Sequence, residues 1–150
     1  MPGLADGTGR IDTTRLAAYL GQHIEGLGAP LTLDSISGGH SNPTFFLAVG
    51  GEPARHVLRK QPAGSILPSA HAIDREYRIM KALAETAVPV PRMLHYCDDA
   101  SVIGTPFYVM ERVEGRVFHD PGLPGLSPAE RAAMFDAMND VLARLHSVDF

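Results

Sequence analysis

Residues 44–60, TFFLAVGGEPARHVLRK, carry the clearest fold signal in the chain. The apolar run from Thr44 to Val49 is followed by Gly50 to Pro53, a sequence that is typical of a hairpin turn. A second strand pattern, from His56 to Gln61, comes directly after this turn. The stretch therefore predicts two antiparallel strands joined by a tight connection.

The segments on either side of this hairpin show further strand and helix patterns. Short apolar runs between turn residues predict three more strands, and apolar residues at helical spacing predict three helices. The predicted strands are Leu31 to Ile36, Arg92 to Cys97 and Pro106 to Val113; the predicted helices run from Asp12 to about Gly26, from His71 to about Glu85 and from Ser127 to about His146. Ser127 to Glu130 has the sequence of a capping box at the start of the last helix. Asp98 to Ser101 is predicted to be a turn. The order favours an α+β fold in which a five-stranded antiparallel sheet has one helix inserted after its third strand.

The composition excludes several classes of protein. The 150 residues are 45% apolar and 20% charged, which is enough apolar chain for one core. The formal net charge of -4 argues against nucleic-acid binding, and no apolar run is long enough to span a membrane. Residues 1–10 lack the pattern of a secretory signal, and Cys97 is the single cysteine, so no internal disulfide can form. We expect a cytoplasmic protein.

The turn between the first two strands, Ser37 to Asn42, has the composition of an anion-binding loop. Gly38 and Gly39 lack side chains, so nearby backbone N–H groups can turn towards a phosphate, and Ser41 and Asn42 add donors. The loop is neither a Walker sequence nor the start of a helix, as a dinucleotide fingerprint would be. The alternative is a flexible hairpin tip without a ligand.

The third strand ends in two cations, Arg59 and Lys60, whose side chains should point to opposite faces of the sheet. One of them therefore faces whatever the glycine turn covers. Such a cation would neutralise phosphate charge, and Glu76 on the second helix could hold it in place. The alternatives are an exposed basic pair at a strand end and a solvated helix face.

Four stretches, in this order, resemble the aminoglycoside phosphotransferase family of small-molecule kinases. They are Val57-Leu-Arg-Lys60, Asp74-Arg-Glu-Tyr77, Val88-Pro-Val-Pro91 and residues 104–115, GTPFYVMERVEG. Leu67 to His71 and Leu142 to Val148 further resemble the kinase domains that are fused to, or encoded beside, acyl-CoA dehydrogenases. The resemblance covers residues 31–150 and implies the small lobe of a protein-kinase-like fold.

The resemblance also implies a nucleotide site. It makes Gly38, Gly39, His40, Ser41 and Asn42 the loop over the nucleotide. It makes Arg59 the cation on the α- and β-phosphates, with Lys60 as the second choice, and Glu76 the partner of that cation. It places Val57 on adenine, Met110 at the back of the pocket, and backbone groups of Glu111 and Val113 at the adenine edge. Two adjacent glycines replace the GxGxxG of protein kinases, which weakens the case for phosphate contacts through the loop.

By the same resemblance the chain divides into four parts: a tail and helix over 1–30, the small lobe over 31–113, a linker over 114–126, and the first helix of a large lobe over 127–150. The family's His-Gly-Asp loop, with the Asn and Asp that follow it, supplies the catalytic base and the Mg²⁺ ligands. No such series occurs in this sequence. We therefore assign no catalytic residue and no metal ligand, and we expect an inactive fragment that binds ATP weakly.

The implied function is the N-terminal part of an ATP- and Mg²⁺-dependent phosphotransferase that acts on a hydroxyl group. The implied partners are a nucleotide and a small hydroxylated substrate, for which the resemblance favours a hydroxyacyl-CoA-type compound, together with an acyl-CoA dehydrogenase. The alternative is a non-catalytic, kinase-like binding or interaction module that self-associates through its last helix. That helix carries an apolar stripe that needs cover: Met134, Met138, Leu142 and Leu145.

Overall fold

The computed structural model describes residues 11–36, 42–64 and 72–149. Its elements in chain order are α1 (Thr13–His23), β1 (Leu31–Ser35), β2 (Thr44–Val49), β3 (His56–Lys60), α2 (Ile73–Leu83), β4 (Met93–Cys97), α3 (Ala100–Ile103), β5 (Phe107–Glu111) and α4 (Pro128–His146). The five strands form one antiparallel sheet in the order β1-β2-β3-β5-β4. The predicted sheet, with a helix inserted after its third strand, is confirmed.

Helix α1 covers one face of this sheet. The side chain of Asp12 caps the helix by accepting the N–H groups of Thr14 and Arg15, each at 3.0 Å. Leu16 and Leu20 on its inner side are fully buried. Burying each such leucine stabilises the folded state by roughly 1.5–3 kcal/mol. The main core of the described residues lies on this face. Strand residues in the same core include Phe45, Leu47, Leu58, Phe107 and Val109.

Helix α2 lies on the opposite face, against β4 and β5. Its first residue, Ile73, is buried. The ring of Tyr77 lies 5.5 Å from the ring of Tyr96 and 6.0 Å from that of Tyr108, measured between centroids. The helix ends at Leu83, short of the predicted Glu85. This packing sets the first turn of α2 over the middle strands of the sheet.

The prediction of a turn from Asp98 to Ser101 is wrong, because α3 begins inside it. The Asp99 side chain accepts the N–H of Ser101 at 2.8 Å, and Gly104 ends the single helical turn with a φ of 90°. The same aspartate that suggested a turn therefore caps a short helix. The predicted bounds of β1, β3 and β4 exceed the observed strands by one residue each, and those of β5 by three, all at strand ends.

Helix α4 is the longest helix, and none of its residues is buried. The predicted capping box is confirmed: the Ser127 N–H donates to Glu130 Oε2 at 2.8 Å, and the Glu130 N–H donates to Ser127 Oγ at 3.3 Å. Arg144 ties its far end to the segment before β4 by donating to the carbonyl of Ala87 at 3.2 Å. Within the described ranges, no helix combines the length and the apolar character needed to cross a membrane.

Candidate functional site

A row of polar side chains crosses the α2 face of the sheet. Thr44 on β2 stands opposite Arg59 on β3, and Arg59 stands opposite Tyr108 on β5. Residues directly opposite each other on neighbouring strands share a face, so these three side chains project towards α2. We call this set the polar row.

The polar row centres on an ion pair between Arg59 and Glu76 of α2. Nε of Arg59 donates to Oε2 of Glu76 at 2.8 Å, and Nη2 donates to Oε1 at 3.2 Å. The side chains of Arg59 and Glu76 are 26% and 34% exposed, so the pair is partly removed from water. A two-point contact fixes the plane of the guanidinium as well as its position.

The Glu76 carboxylate accepts two further hydrogen bonds. The Tyr108 hydroxyl donates to Oε2 at 2.9 Å, and Nδ2 of Asn42 donates to Oε1 at 3.0 Å. Burial opposes the charged form of Glu76, but the hydrogen bonds from Arg59, Tyr108 and Asn42 outweigh it, so the pKa of Glu76 lies below its ordinary value of 4.5. At neutral pH the carboxylate is therefore ionised.

The partners of Glu76 are held in their complementary protonation states. The hydrogen bond to Glu76 raises the pKa of Arg59 further above its already high value. Burial, reinforced by the bond to Glu76, raises the pKa of Tyr108. The tyrosine therefore remains a hydrogen-bond donor and the arginine remains a cation across the physiological range.

Most N–H groups of the Arg59 guanidinium donate hydrogen bonds to other residues of the protein. Nη1 donates to Oγ1 of Thr44 at 2.9 Å and to the carbonyl of Asn42 at 3.4 Å. Together with the bonds to Glu76, these contacts occupy four of the five N–H groups of the side chain. Counting partners among the described residues alone, one N–H on Nη2 is left for a ligand, together with the positive charge.

A second row, the apolar row, lies two residues further along the same strands and on the same face. It consists of Phe46, Val57 and Met110, which stand opposite one another across β2, β3 and β5. Two residues along a strand correspond to about 7 Å, which is the distance between the rows. Val57 is buried, whereas Phe46 and Met110 are half-buried. A flat aromatic ligand can stack on such a surface.

Arg112 packs against Phe46, which is the β2 member of the apolar row. Its guanidinium lies 4.4 Å from the ring centroid of Phe46, and Nη1 donates to the carbonyl of Ala54 at 3.2 Å. Its backbone N–H donates to the carbonyl of Arg55 at 2.9 Å. The segment after β5 is thereby fixed to the start of β3.

Glu111 and Val113, the residues predicted to contact adenine, present different backbone groups to a ligand. The N–H of Glu111 donates to the carbonyl of Arg92 at 2.9 Å, so its carbonyl oxygen is the group that a ligand could use. Val113 is 67% exposed, and its N–H makes no backbone hydrogen bond within the part of the chain that the structure describes. The Glu111 carbonyl is therefore the candidate acceptor at this edge, and the Val113 N–H is the candidate donor.

The two cations of β3 point to opposite faces, as strand alternation predicts. Arg59 lies on the same sheet face as Val57, and this face packs against α2, which carries Glu76. Lys60 lies on the α1 side, is 2% exposed, and lines a cavity of about 500 Å³ together with Asp12 and Arg15. Burial lowers the pKa of Lys60. The structure therefore does not bring Lys60 to the polar row.

Four of the predicted loop residues, Gly38, Gly39, His40 and Ser41, lie outside the described residues. Asn42, the last residue of the loop, is buried at 3% exposure and bonds Glu76. Thr44, Phe46, Tyr108 and Arg112 were not predicted as site residues. Strand alternation could have placed Tyr108 on the face of Met110, but only the register between β3 and β5 sets it opposite Arg59.

No set of three or more His, Cys, Asp or Glu side chains within residues 11–36, 42–64 and 72–149 is arranged to hold a metal ion. The carboxylate bonded to the polar row is that of Glu76, and it accepts hydrogen bonds from Arg59, Tyr108 and Asn42. In this arrangement the Glu76 carboxylate is therefore not open to a Mg²⁺ ion.

Residues 32–150 match the family model described as the phosphotransferase enzyme family. The chain belongs to this family. The aminoglycoside phosphotransferase resemblance is thereby confirmed, and the fold agrees with it. A crystal structure of a putative aminoglycoside phosphotransferase from Ralstonia eutropha is 49% identical in sequence, with a TM-score of 0.77, over 93% of this chain and 39% of that one.

The curated relatives of this phosphotransferase-family chain are much longer proteins. It is 52% identical over 144 residues to acyl-CoA dehydrogenase family member 11 of Rattus norvegicus, covering 93% of the chain and 18% of that relative. It is 52% identical over 134 residues to acyl-CoA dehydrogenase family member 10 of Mus musculus, covering 89% of the chain and 12% of that relative. The predicted resemblance to kinase domains linked to acyl-CoA dehydrogenases is confirmed, and the chain spans less than a fifth of either relative.

Proposed function

We propose that the chain is the nucleotide-binding part of an ATP-dependent phosphotransferase that phosphorylates the hydroxyl group of a small molecule. The observation that carries this proposal is the Arg59–Glu76 ion pair, which lies beside the apolar row on one face of the sheet. An apolar surface suits the adenine ring, and a fixed cation about 7 Å along the strands suits the phosphates. Membership of the phosphotransferase family supports the same assignment.

In this proposal each row has its own task. Val57 and Met110 face the adenine ring, and the Glu111 carbonyl and the Val113 N–H meet its edge. Arg59 offers its remaining N–H and its charge to the α- and β-phosphates, while Glu76 holds the guanidinium in place. The glycine loop, Gly38 to Asn42, is assigned to the phosphates because of its sequence.

The chemistry of transfer needs groups that we place outside these residues. Mg²⁺ would shield the phosphate charge, and a carboxylate would accept the proton of the attacking hydroxyl. The Glu76 carboxylate fits neither role, since it already accepts hydrogen bonds from Arg59, Tyr108 and Asn42. We therefore propose that residues 1–150 alone bind ATP weakly and do not turn it over.

For the acceptor we propose a hydroxyacyl-CoA-type compound. The relatives at about half identity are named acyl-CoA dehydrogenases, which motivates an acyl-CoA acceptor and a dehydrogenase of that type as the protein partner. The test uses a protein that carries this chain and a complete phosphotransferase domain. It compares the rates of phosphate transfer to hydroxyacyl-CoA compounds and to aminoglycosides. Preference for an aminoglycoside would contradict the proposed acceptor.

The nucleotide assignment is tested by titrating Mg²⁺-ATP into the chain and following backbone amide resonances. We expect millimolar affinity, with shifts concentrated at Val57, Arg59 and residues 110–113, and loss of binding in Arg59→Ala. The matched control is Arg78→Ala, because Arg78 forms an exposed ion pair with Asp74 on the same helix as Glu76. Unchanged binding in Arg59→Ala would refute the role of Arg59. Tight Mg²⁺-dependent binding would contradict the expected weak affinity, and release of phosphate from ATP would refute the inactivity of the chain.

A second candidate function is an interaction module that uses α4. The side chains of Phe135, Met138, Leu142 and Leu145 are 43–61% exposed on a helix without a buried residue. An apolar surface of this kind usually marks a contact with another protein segment. For such a module we propose that a second copy of the chain covers this surface, so that the protein self-associates through α4.

A further inference from the structure

We propose that Tyr108 and Asn42 are positioning residues that fix the Glu76 carboxylate, and through it Arg59, in the orientation that faces the nucleotide. Neither residue touches the phosphates in this assignment; both act through Glu76. The inference rests on the proposed nucleotide-binding function, and the geometry that carries it can be tested separately.

Tyr108 is placed for this role by the sheet. It stands opposite Arg59 in the register of β3 and β5, and it is 1% exposed. A buried tyrosine hydroxyl needs a hydrogen-bond partner, and here the hydroxyl donates to Oε2 of Glu76 at 2.9 Å. This is the oxygen that also accepts Nε of Arg59 at 2.8 Å. Strand β5 thus supplies, through the Tyr108 hydroxyl, a second donor to the Glu76 oxygen that Arg59 Nε also contacts.

Asn42 supplies the matching anchor on the other oxygen. Its Nδ2 donates to Oε1 of Glu76 at 3.0 Å, beside the 3.2 Å bond from Nη2 of Arg59. Its carbonyl accepts Nη1 of Arg59 at 3.4 Å and the Thr44 hydroxyl at 3.0 Å. Asn42 therefore contacts both members of the ion pair.

With two donors on each oxygen, the carboxylate cannot rotate without breaking hydrogen bonds on both sides. Asn42 also directly follows residues 37–41 in the chain, so the loop proposed to cover the phosphates is one residue away from the ion pair. Removing either anchor should loosen the pair while the fold persists, since the Tyr108 ring keeps its packing when only the hydroxyl is deleted.

The titration of Glu76 reports this arrangement directly. The charged or titratable groups that face its carboxylate are Arg59 on β3 and Tyr108 on β5, and Asn42 adds a neutral donor. Each hydrogen bond stabilises the ionised form, so loss of one should move the pKa of Glu76 upwards. A tyrosine that served packing alone would not change this titration when it is replaced by phenylalanine.

The experiment uses the 150-residue chain labelled with ¹³C and ¹⁵N. The Glu76 carboxyl titration, the exchange rate of the Arg59 Nε–H and the Mg²⁺-ATP affinity are measured for wild type, Tyr108→Phe and Asn42→Ala. Tyr77→Phe is the matched control, because the Tyr77 ring lies 6.0 Å from that of Tyr108 but its hydroxyl has no hydrogen bond to Glu76. We expect a higher pKa, faster exchange and ATP affinity reduced about three- to tenfold in both anchor variants, and none of these in the control.

An unchanged Glu76 titration and Arg59 exchange in Tyr108→Phe and in Asn42→Ala would overturn the inference, whatever happens to ATP affinity. Should Tyr108→Phe fail to fold, the Asn42→Ala variant decides alone. Absence of ATP binding in the wild-type chain would count against the proposed function, while the two resonance measurements would still decide the positioning role. The two failures are thereby distinguishable.

Discussion

Arg59 on β3 and Tyr108 on β5 stand directly opposite each other and donate hydrogen bonds to the same oxygen of Glu76, at 2.8 and 2.9 Å. One strand contributes the cation of the site and its neighbour contributes the group that helps to orient the counter-ion. Because both strands are paired along their full length, the positions of these two donors are set by the sheet. The packing of α2 then places the Glu76 carboxylate within hydrogen-bond distance of both donors.

Glu76→Gln should lower the stability of the chain by about 1–3 kcal/mol, because it leaves the half-buried charge of Arg59 without its counter-ion. The loss should be smaller than that of a fully buried pair, since both side chains keep some contact with water. Urea unfolding at pH 7 measures it. Asp74→Asn removes the exposed partner of Arg78 and should cost less than about 0.5 kcal/mol. Equal losses in the two variants would contradict this account.

Stability should fall as the pH drops below about 6.5 because of His95. Burial, and secondarily the nearby His23, lower the pKa of His95 below its ordinary value of 6.5, and the Tyr19 hydroxyl lies 2.9 Å from its Nε2. The folded state then binds a proton less readily than the unfolded state, so stability is complete above pH 6.5 and is lost progressively below it. Urea midpoints between pH 7.5 and 5.5 measure the effect.

The control for this pH effect is His95→Gln, which should show a shallower fall in stability over the same interval. The fall should not vanish, because burial, followed by Arg92 and Arg55, also lowers the pKa of His56. A slope as steep as that of wild type would exclude His95 as its source.

Replacing the cap of α1 should weaken the main core. Asp12→Ala removes the acceptor of two backbone N–H groups, and we expect a loss of about 1 kcal/mol. Asp12→Asn keeps a side-chain oxygen at the cap and should lose much less. Thermal unfolding followed by circular dichroism compares the two, and identical midpoints would show that the cap does not stabilise the fold.

The exposed face of α4 should drive association of the isolated chain. Met138→Glu and Leu142→Glu place charges on this face, so they should shift sedimentation towards the monomer. The circular dichroism spectrum should remain that of the folded chain, because neither side chain is buried within one copy. The matched variant Asp136→Lys changes charge on the same helix and should leave association unchanged. A wild-type chain that remains monomeric at all concentrations would contradict the proposed contact surface.

The sequence predicted the elements well where the signals are local. Strand alternation, the GGEP turn and the Ser127–Glu130 capping box depend on neighbouring residues, and each produced the expected element. Local signals failed at Asp99, because an aspartate serves equally well to begin a turn or to cap a helix of four residues. Only the packing of Val102 into the core distinguishes the two outcomes.

The sequence by itself determined that Arg59 and Lys60 point to opposite faces, because alternation is a property of one strand. That Arg59 meets the Glu76 carboxylate was decided by the tertiary structure, through the packing of α2 against β4 and β5. The same holds for Tyr108 and Asn42, which lie 32 and 34 positions from Glu76 in the chain. Their hydrogen bonds depend on the register between strands and on where the helix is placed. Both arise from contacts between residues far apart in sequence, which no local pattern encodes.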